Sequence, residues 1–410
     1  MSHYQHIKEG GYKVFLRKVN SLFIRICLMI SGILAIPCVL LIRLFKGIIL
    51  IRLGTLRSDR IGHFAADSGQ HFASNILNTK RTVNLYWLSK KKYISNKQLE
   101  LMVRRNFLVF NFVRYLDYWN RLLPGGEIHS SDCKSRDIMG VLQKSKEKMS
   151  FISSEESQAK EWMYKYGWSG GDPFVCLMVR DSTYLINANL YETLDFSYHN
   201  YRDTDISNYI EAIEWLANQG VWVFRMGRKM HKPIAITHPK IIDYAFCENQ
   251  SDLQDVWMFA NCNLCISTGT GPDTVSDVYC RPMLYLNYVP ISNLVSWNNA
   301  IHVPKHLIYI KTGKYLTLSE HIKHSYLDSE QYVNAGIEVV EMSPMEILQA
   351  VQERFKNVFE GSSFQHNNTK QNTIFWKILL ESDASSENRF IHEGSGVADY
   401  FFKNNPNWLK

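Results

Sequence analysis

Between residues 47 and 360 the chain alternates short apolar runs with polar, glycine-bearing loops and with stripes of apolar residues at helical spacing. Phe174–Val179, Val221–Arg225, Leu264–Ser267 and Met283–Asn287 read as buried strands. Between them, Asp205–Gln219 carries apolar residues at 206, 209, 210, 213 and 216, with Asp205 placed as N-cap and Gly220 past the end. Leu253–Ala260 reads as a helix, and another is expected from about Pro272. Ser343-Pro344-Met345-Glu346 is a capping box opening a helix to about Phe355. After Gly361 the chain is polar, then amphipathic again from Phe375 to Leu380.

The first half shows the same style. Gly47–Leu53 has strand length and leads into a polar glycine loop, Gly54–His63, and a helix Ile61–Leu77. Val83–Leu88 is the next strand, and Ser95 with Gln98 forms a candidate capping box for a helix through Val103. Ser130–Met149, polar and Lys-rich, is expected to be an exposed helix. The turn formers of Gly167–Pro173 place a domain boundary there. A Tyr/Asn-rich loop follows Ser182. The predicted class is α/β, with two Rossmann-like domains: residues 47–170 and 171–360, followed by tail helices in 361–410.

Residues 1–46 break this pattern. A basic leader precedes seventeen residues without a charge, Ile26–Ile42, closed by Arg43 and Lys46. Seventeen is the lower limit for a spanning helix, and Pro37 is expected to kink it. A single span, a re-entrant helix and an interfacial anchor all fit, and each implies contact with membrane lipid.

Composition narrows the classes. Hydrophobic residues make up 46% and charged residues 21% of 410, as expected for a folded globular chain. The formal charge of +7, from 46 Lys+Arg against 39 Asp+Glu, is too small and dispersed to imply nucleic acid. Anionic lipid or a phosphate-bearing substrate accounts for it equally well. Eight scattered cysteines, several in apolar surroundings, fit reduced thiols facing the cytosol. Cys262 and Cys265 lead into a strand instead of opening a helix, so they read as structural.

In parallel sheets, ligands bind beyond the carboxyl ends of strands. Those ends here carry Arg180 and Asp181; Arg225, Gly227 and Arg228; and Thr268-Gly269-Thr270-Gly271 followed by Asp273. Arginines beside a glycine turn feeding a helix make a site suited to a diphosphate. After the first strand, Asp59 or His63 could take a proton from a hydroxyl. Asp203-Thr204-Asp205 has the spacing of a metal-binding DxD, but Asp205 already caps a helix. His302/His306 and His321/His324 lack a third ligand nearby, so no metal site is expected.

With these motifs in view, the chain resembles bacterial sugar transferases of the GT-B architecture, two Rossmann-like domains facing across a cleft. More closely, it resembles a family of glycosyltransferases from surface-carbohydrate gene clusters. The segments that carry the resemblance are ILIRLGTLRSDRIGHFA, FVCLMVRDSTYL, NYRDTDISNYIEAIEWLANQGVWVFRMGR, ISTGTGPDTVSDVYCRPMLYLNYVP and the closing NPNWLK. The Arg180 strand and Arg225-Met226-Gly227 are also similar to protein O-fucosyltransferases. The resemblance implies a nucleotide-sugar donor as co-substrate, with no separate cofactor and no metal. It also implies a glycan or lipid-linked acceptor and a place at the cytoplasmic face of the bacterial inner membrane. Arg180, Arg228 and Thr268–Gly271 would hold the donor diphosphate, supported by Asp181, Arg225, Gly227 and Asp273. The loop around Asp59 would face the acceptor, as in lipopolysaccharide heptosyltransferases, whose loop is shorter. Two other readings stay open: a nucleotide-sugar epimerase or hydrolase, and an inactive membrane-tethered assembly protein.

Overall fold

A computed structural model describes residues 3–78, 81–89, 93–133, 135–181, 197–361, 369–382 and 389–410. Most of the Tyr/Asn-rich loop after Ser182 lies outside them. The chain forms two compact units. The smaller comprises 1–59, 78–94 and 103–133, and the larger 60–77, 95–102 and 134–410. Residues 134–170 therefore belong with the larger unit, not with the first strands as the expected boundary near 170 had it.

In the smaller unit, β1 (Leu50–Leu56), β2 (Thr82–Leu88), β3 (Leu108–Val109) and β4 (Ser130–Ser131) form a parallel sheet of order β3-β2-β1-β4. The first strand runs further than expected, because Gly54 is part of it. A Cβ there would lie 2.8 Å from the Ser131 carbonyl oxygen and 3.0 Å from the Tyr86 ring, so only glycine lets the neighbours close in.

The N-terminal helix α1 (His3–Leu44) takes in the basic leader and runs unbroken past Pro37. The stretch Lys18–Gly47, which runs from α1 into the short turn after it, is long and apolar enough to cross a membrane, and Ile33 and Leu34 stand 76% and 79% exposed. The opposite face packs within the unit: Ala35 and Val39 are buried, and the Trp119 indole donates to the Leu28 carbonyl at 3.1 Å. Arg43 reaches the Asn120 carbonyl (2.8 Å), the Leu123 carbonyl (3.0 Å) and the Pro124 carbonyl (2.7 Å). Asn120 lies in the last turn of a helix, Val113–Leu122, and Leu123 and Pro124 directly follow it, so the cation sits at the helix C-terminus, where it is favoured.

The larger unit is built on seven parallel strands. In chain order they are β5 (Phe174–Met178), β6 (Trp222–Arg225), β7 (Ile241–Ile242), β8 (Leu264–Ser267), β9 (Met283–Tyr288), β10 (Ala300–Pro304) and β14 (Gly396–Val397). A small antiparallel sheet, β11 (His306–Tyr309), β12 (Lys314–Tyr315) and β13 (Ile337–Val340), intervenes in sequence. The order in the large sheet is β14-β10-β9-β8-β5-β6-β7. The chain winds outward one way from β5 and the other way from β8, so the strand order reverses between these two neighbours. Both are buried along their whole length, as the unbroken apolar runs predict. Helices 210–218 and 344–359 cover one face, where Ile213, Leu216, Ile347 and Val351 join Val175, Leu177 and Ile266 in one core.

Several local expectations shift. Asn96, not Ser95, caps the helix Lys97–Asn106, accepting from the Leu99 amide at 2.9 Å. The described residues of Ser130–Met149 hold a short strand, Ser130–Ser131, and one helical turn, Val141–Lys144, instead of one exposed helix. That segment has polar residues but no apolar period for a helix to bury. The helix expected from Pro272 is a single turn, Thr274–Val278. Asp205 does cap its helix, through the Ser207 amide at 2.8 Å, and Ser343 and Glu346 form the expected capping box. Cys262 and Cys265 are buried with free thiols.

Candidate functional site

The point where strand order reverses in a parallel sheet leaves a crevice, because the loops on either side turn to opposite faces. In the larger unit this point lies between the carboxyl ends of β5 and β8. Arg180 follows β5 and Thr268–Gly271 follows β8. The two ends are tied together: the Thr268 amide donates to the Met178 carbonyl at 3.2 Å, and the Arg180 amide donates to Thr268 Oγ1 at 3.0 Å. The sequence-predicted Arg180 and glycine loop thus meet at one place.

The loop's geometry is internally braced. Gly269 takes φ +75°, where a side chain would be strained and would meet the Tyr288 ring. Its amide donates to Ser267 Oγ at 3.1 Å, and the Thr270 amide donates to Asp273 Oδ2 at 2.7 Å. Asp273 also accepts from the Ser267 hydroxyl at 2.5 Å. Two amides expected to be open to an anion are therefore held by the chain itself, and burial pushes Asp273 up to about 6. The helix behind the loop is too short to lend a macrodipole. What the loop offers instead is the Thr270 hydroxyl, whose oxygen is buried with no hydrogen-bond partner among the described residues.

Cationic groups gather on the same side. Arg180 Nε stands 3.0 Å from Asp203 Oδ1, and Lys305 Nζ donates to the Asp203 carbonyl at 2.6 Å. Arg202 donates to the Gly269 carbonyl. Burial, and next the neighbouring Arg202, push the Arg180 guanidinium below its ordinary range, while burial raises the Asp203 carboxyl and lowers Lys305. Burial thus outweighs the Arg180–Asp203 attraction on both sides of the pair. The Arg180 guanidinium, depressed by burial and by Arg202 beside a hydroxyl with no partner among the described residues, is in a setting in which a bound anion relieves repulsion.

The other arginines are committed elsewhere. Arg225 is 1% exposed, donating to the Lys232 carbonyl at 2.8 Å and pairing with Asp243 at 3.2 Å. In this way it holds the 225–243 loop. Arg228 pairs with Asp252 at 2.5 Å and Asp255 at 2.8 Å, so two carboxylates already neutralise it. Gly227 has φ +136°, and its carbonyl accepts from Gln250 at 2.9 Å. Asp181 accepts from the His231 amide at 2.9 Å, bracing the same loop.

Asp59 is half-buried in the loop between β1 and α2 (Ile61–Leu77), the last residue of the first stretch of the smaller unit. That loop follows the strand at which order reverses in the smaller sheet. His63 belongs to the larger unit, on the first turn of α2, and next to it Gly62 packs against Gly271. His63 Nδ1 is 3.0 Å from Ser135 Oγ, and Ser135 donates to Asp67 Oδ1 at 2.5 Å.

Sequence reasoning missed Arg202, Lys305, Ser135 and Asp67. Only Asp67 gave a signal: an acid in the middle of a helix that is otherwise apolar or small on that side. Of the histidines set aside as metal ligands, His302 is buried and accepts from the Val295 amide at 3.1 Å, and His306 pairs with Glu346 at 2.8 Å.

No family model and no curated protein matches the chain. Three solved structures are similar in outline. A family 9 glycosyl transferase from Veillonella parvula DSM 2008 is 10% identical, covers 74% of this chain and 96% of its own, and has a TM-score of 0.44. The E. coli ADP-heptose lipopolysaccharide heptosyltransferase II is 12% identical over 75% of this chain and 99% of its own, at 0.39. The E. coli heptosyltransferase WaaC, solved with ADP, is 9% identical over 62% of this chain and 91% of its own, at 0.29.

Proposed function

We propose that the chain is a glycosyltransferase that moves a sugar from a nucleotide-sugar donor to a hydroxyl of a glycan or lipid-linked acceptor. The observation that carries this reading is the meeting of the carboxyl ends of β5 and β8 at the point where strand order reverses. Arg180, Arg202 and the Thr270 hydroxyl, which has no partner among the described residues, stand there at the reversal point of a seven-stranded parallel sheet. Such a set suits a diphosphate that gathers further negative charge as it leaves, because preorganised donors stabilise the charge developing in the transition state more than the smaller charge of the bound donor. In this reading Arg180 and Arg202 hold the diphosphate with Thr268–Gly271, and neutralisation by arginine makes a metal unnecessary. Arg228 joins them only by giving up Asp252 and Asp255, so its contribution is the smaller.

The acceptor hydroxyl loses its proton to Asp59 or His63. Its oxygen bonds to the anomeric carbon, and the bond from that carbon to the diphosphate breaks with its electron pair leaving on phosphate. The exposed apolar face of α1 supports lipid contact, and with it a place at the cytoplasmic face of a bacterial inner membrane, on the route to surface glycan. The deciding experiment is a thermal-shift screen of the full chain against nucleoside diphosphates and nucleotide sugars. A dose-dependent rise with one nucleotide, lost in Arg180→Ala, is expected. No rise with any of them overturns the donor site.

A further inference from the structure

A guanidinium carries its N–H groups in a fixed fork, and the way it is held decides which of them remain for a ligand. Arg180 is held at three points. Its amide donates to Thr268 Oγ1 at 3.0 Å, its carbonyl accepts from the Thr204 amide at 3.1 Å, and its Nε donates to Asp203 Oδ1 at 3.0 Å. Nη1 and Nη2 have no hydrogen-bond partner among the described residues, and 14% of the side chain stays open. A pair built for strength would be bidentate, whereas Asp203 takes Nε alone. The end of the fork that can meet two phosphate oxygens at once is the end left over.

Asp203 can grip Arg180 because its own backbone is pinned. The buried Lys305 ammonium, directly after β10, donates to the Asp203 carbonyl at 2.6 Å. The next residue, Thr204, is also buried: its hydroxyl donates to Glu341 Oε2 at 2.6 Å and accepts from Asn287 Nδ2, on β9, at 3.2 Å. The Asp205 amide reaches the same Glu341 oxygen at 3.1 Å. Residues 203–205 are thus tied to the segments carrying Lys305, Asn287 and Glu341, and through the Thr204 amide to Arg180 itself. The Asp-Thr-Asp spacing therefore serves two separate tasks, with Asp205 capping a helix and Asp203 holding an arginine. The geometry points to Asp203 as a positioning residue acting through Arg180: it grips Nε and so presents Nη1 and Nη2 together to the donor diphosphate. A fork ordered in advance does not have to be ordered when the anion binds. The identity of that anion rests on the transfer reading above. The grip does not.

The test compares two variants. Asp203→Asn and Asp203→Ala both remove the negative charge, but only the first keeps an oxygen to which Nε can donate, so their difference isolates the grip from the charge. Inorganic pyrophosphate is titrated into the full chain in a calorimeter. Asp203→Ala is expected to bind it about 2- to 10-fold more weakly than Asp203→Asn, the effect of one long side chain left to order itself on binding. In an Arg180→Ala background the two should bind alike, because nothing is left for residue 203 to hold. In sugar transfer, Asp203→Ala should fall about 10- to 100-fold below Asp203→Asn, the scale of a small misplacement at the reacting centre. Asp203→Ser, whose hydroxyl ends one bond short of Nε, takes the place of Asp203→Ala if that variant does not fold. Equal pyrophosphate binding by the two variants, or a difference that persists without Arg180, overturns the positioning role. The expected binding pattern in a chain that transfers no sugar overturns the enzyme reading instead and leaves the grip standing. A wild type that binds no pyrophosphate overturns the anion site, and this role of Asp203 with it.

Discussion

A Cβ on Gly62 would lie 2.9 Å from Gly271 Cα and 3.0 Å from its carbonyl oxygen, so the first turn of α2 and the loop after β8 meet backbone to backbone. Gly62→Ala forces that contact apart. The expected cost is about 1–3 kcal/mol of stability, the range for overpacking a tight interior. Urea denaturation measures it, and an unchanged midpoint would show that the two segments are not in contact.

Arg180→Ala and Arg202→Ala should each cost about 3 kcal/mol of transition-state stabilisation, roughly a hundredfold in rate, as for removal of one preorganised donor. Arg228→Ala should cost less activity, since Asp252 and Asp255 already occupy it. A sugar-transfer assay ranks the three variants. Equal losses at all three would return Arg228 to the centre of the site, and donor breakdown at full rate without acceptor would favour the hydrolase or epimerase reading.

Arg225 predicts a different phenotype. Arg225→Ala leaves the Asp243 carboxylate without its cation in a largely buried setting, and removing one partner of such a pair costs about 3–5 kcal/mol. Circular dichroism in urea should show a destabilised chain. A stable but inactive Arg225→Ala protein would point instead to a direct part in the chemistry.

Burial pushes Asp277 up to about 7 and Asp273 up to about 6, from an ordinary value near 3.9. The folded state therefore binds protons more tightly than the unfolded state. Their contribution is fully present below about pH 4 and is lost as pH rises toward 7. Asp277→Asn keeps an acceptor oxygen for the Trp297 indole, 2.9 Å from Asp277 Oδ2, and removes the titration. The unfolding free energy of this variant should fall less than that of the wild type between pH 4 and 7. Parallel curves for the two proteins would refute the buried-acid account.

Charging the bare face of α1 tests lipid contact. Ile33→Lys combined with Leu34→Lys places two cations on the exposed side, away from Ala35 and Val39. Flotation with vesicles of neutral lipid should be lost while the melting temperature holds, since each charge in the apolar layer costs about 2.5–3.5 kcal/mol. Retained flotation would exclude burial of this face in the apolar layer.

The strands and helices of the larger unit were legible where burial is two-sided and caps are local. Leu264–Ser267 ends where its apolar run ends, and Asp205 and Ser343 cap the helices they precede. The site was legible only as far as the backbone. Strand ends told where Arg180, Arg225 and Arg228 start, but the direction of each long side chain is set by acids distant in sequence: Asp203, Asp243, and the Asp252/Asp255 pair. The glycine loop was found, yet Asp273 filling its amides was not, because a carboxylate three residues on looks the same whether it points in or out. Arg202 sits in a run of 3-10 turn with no period to mark it, and it joins the site only through the Gly269 carbonyl.

Arg43 gives α1 a mechanical meaning. Its hydrogen bonds to the end of the helix 113–122, with Trp119 set against Gly32, leave no slack between the N-terminal rod and the sheet beneath it. A rod on a loose tether would let the sheet swivel. Held at this point, α1 and the helix 113–122 would move together, so any tilt of the rod in a lipid surface would be passed first to that helix.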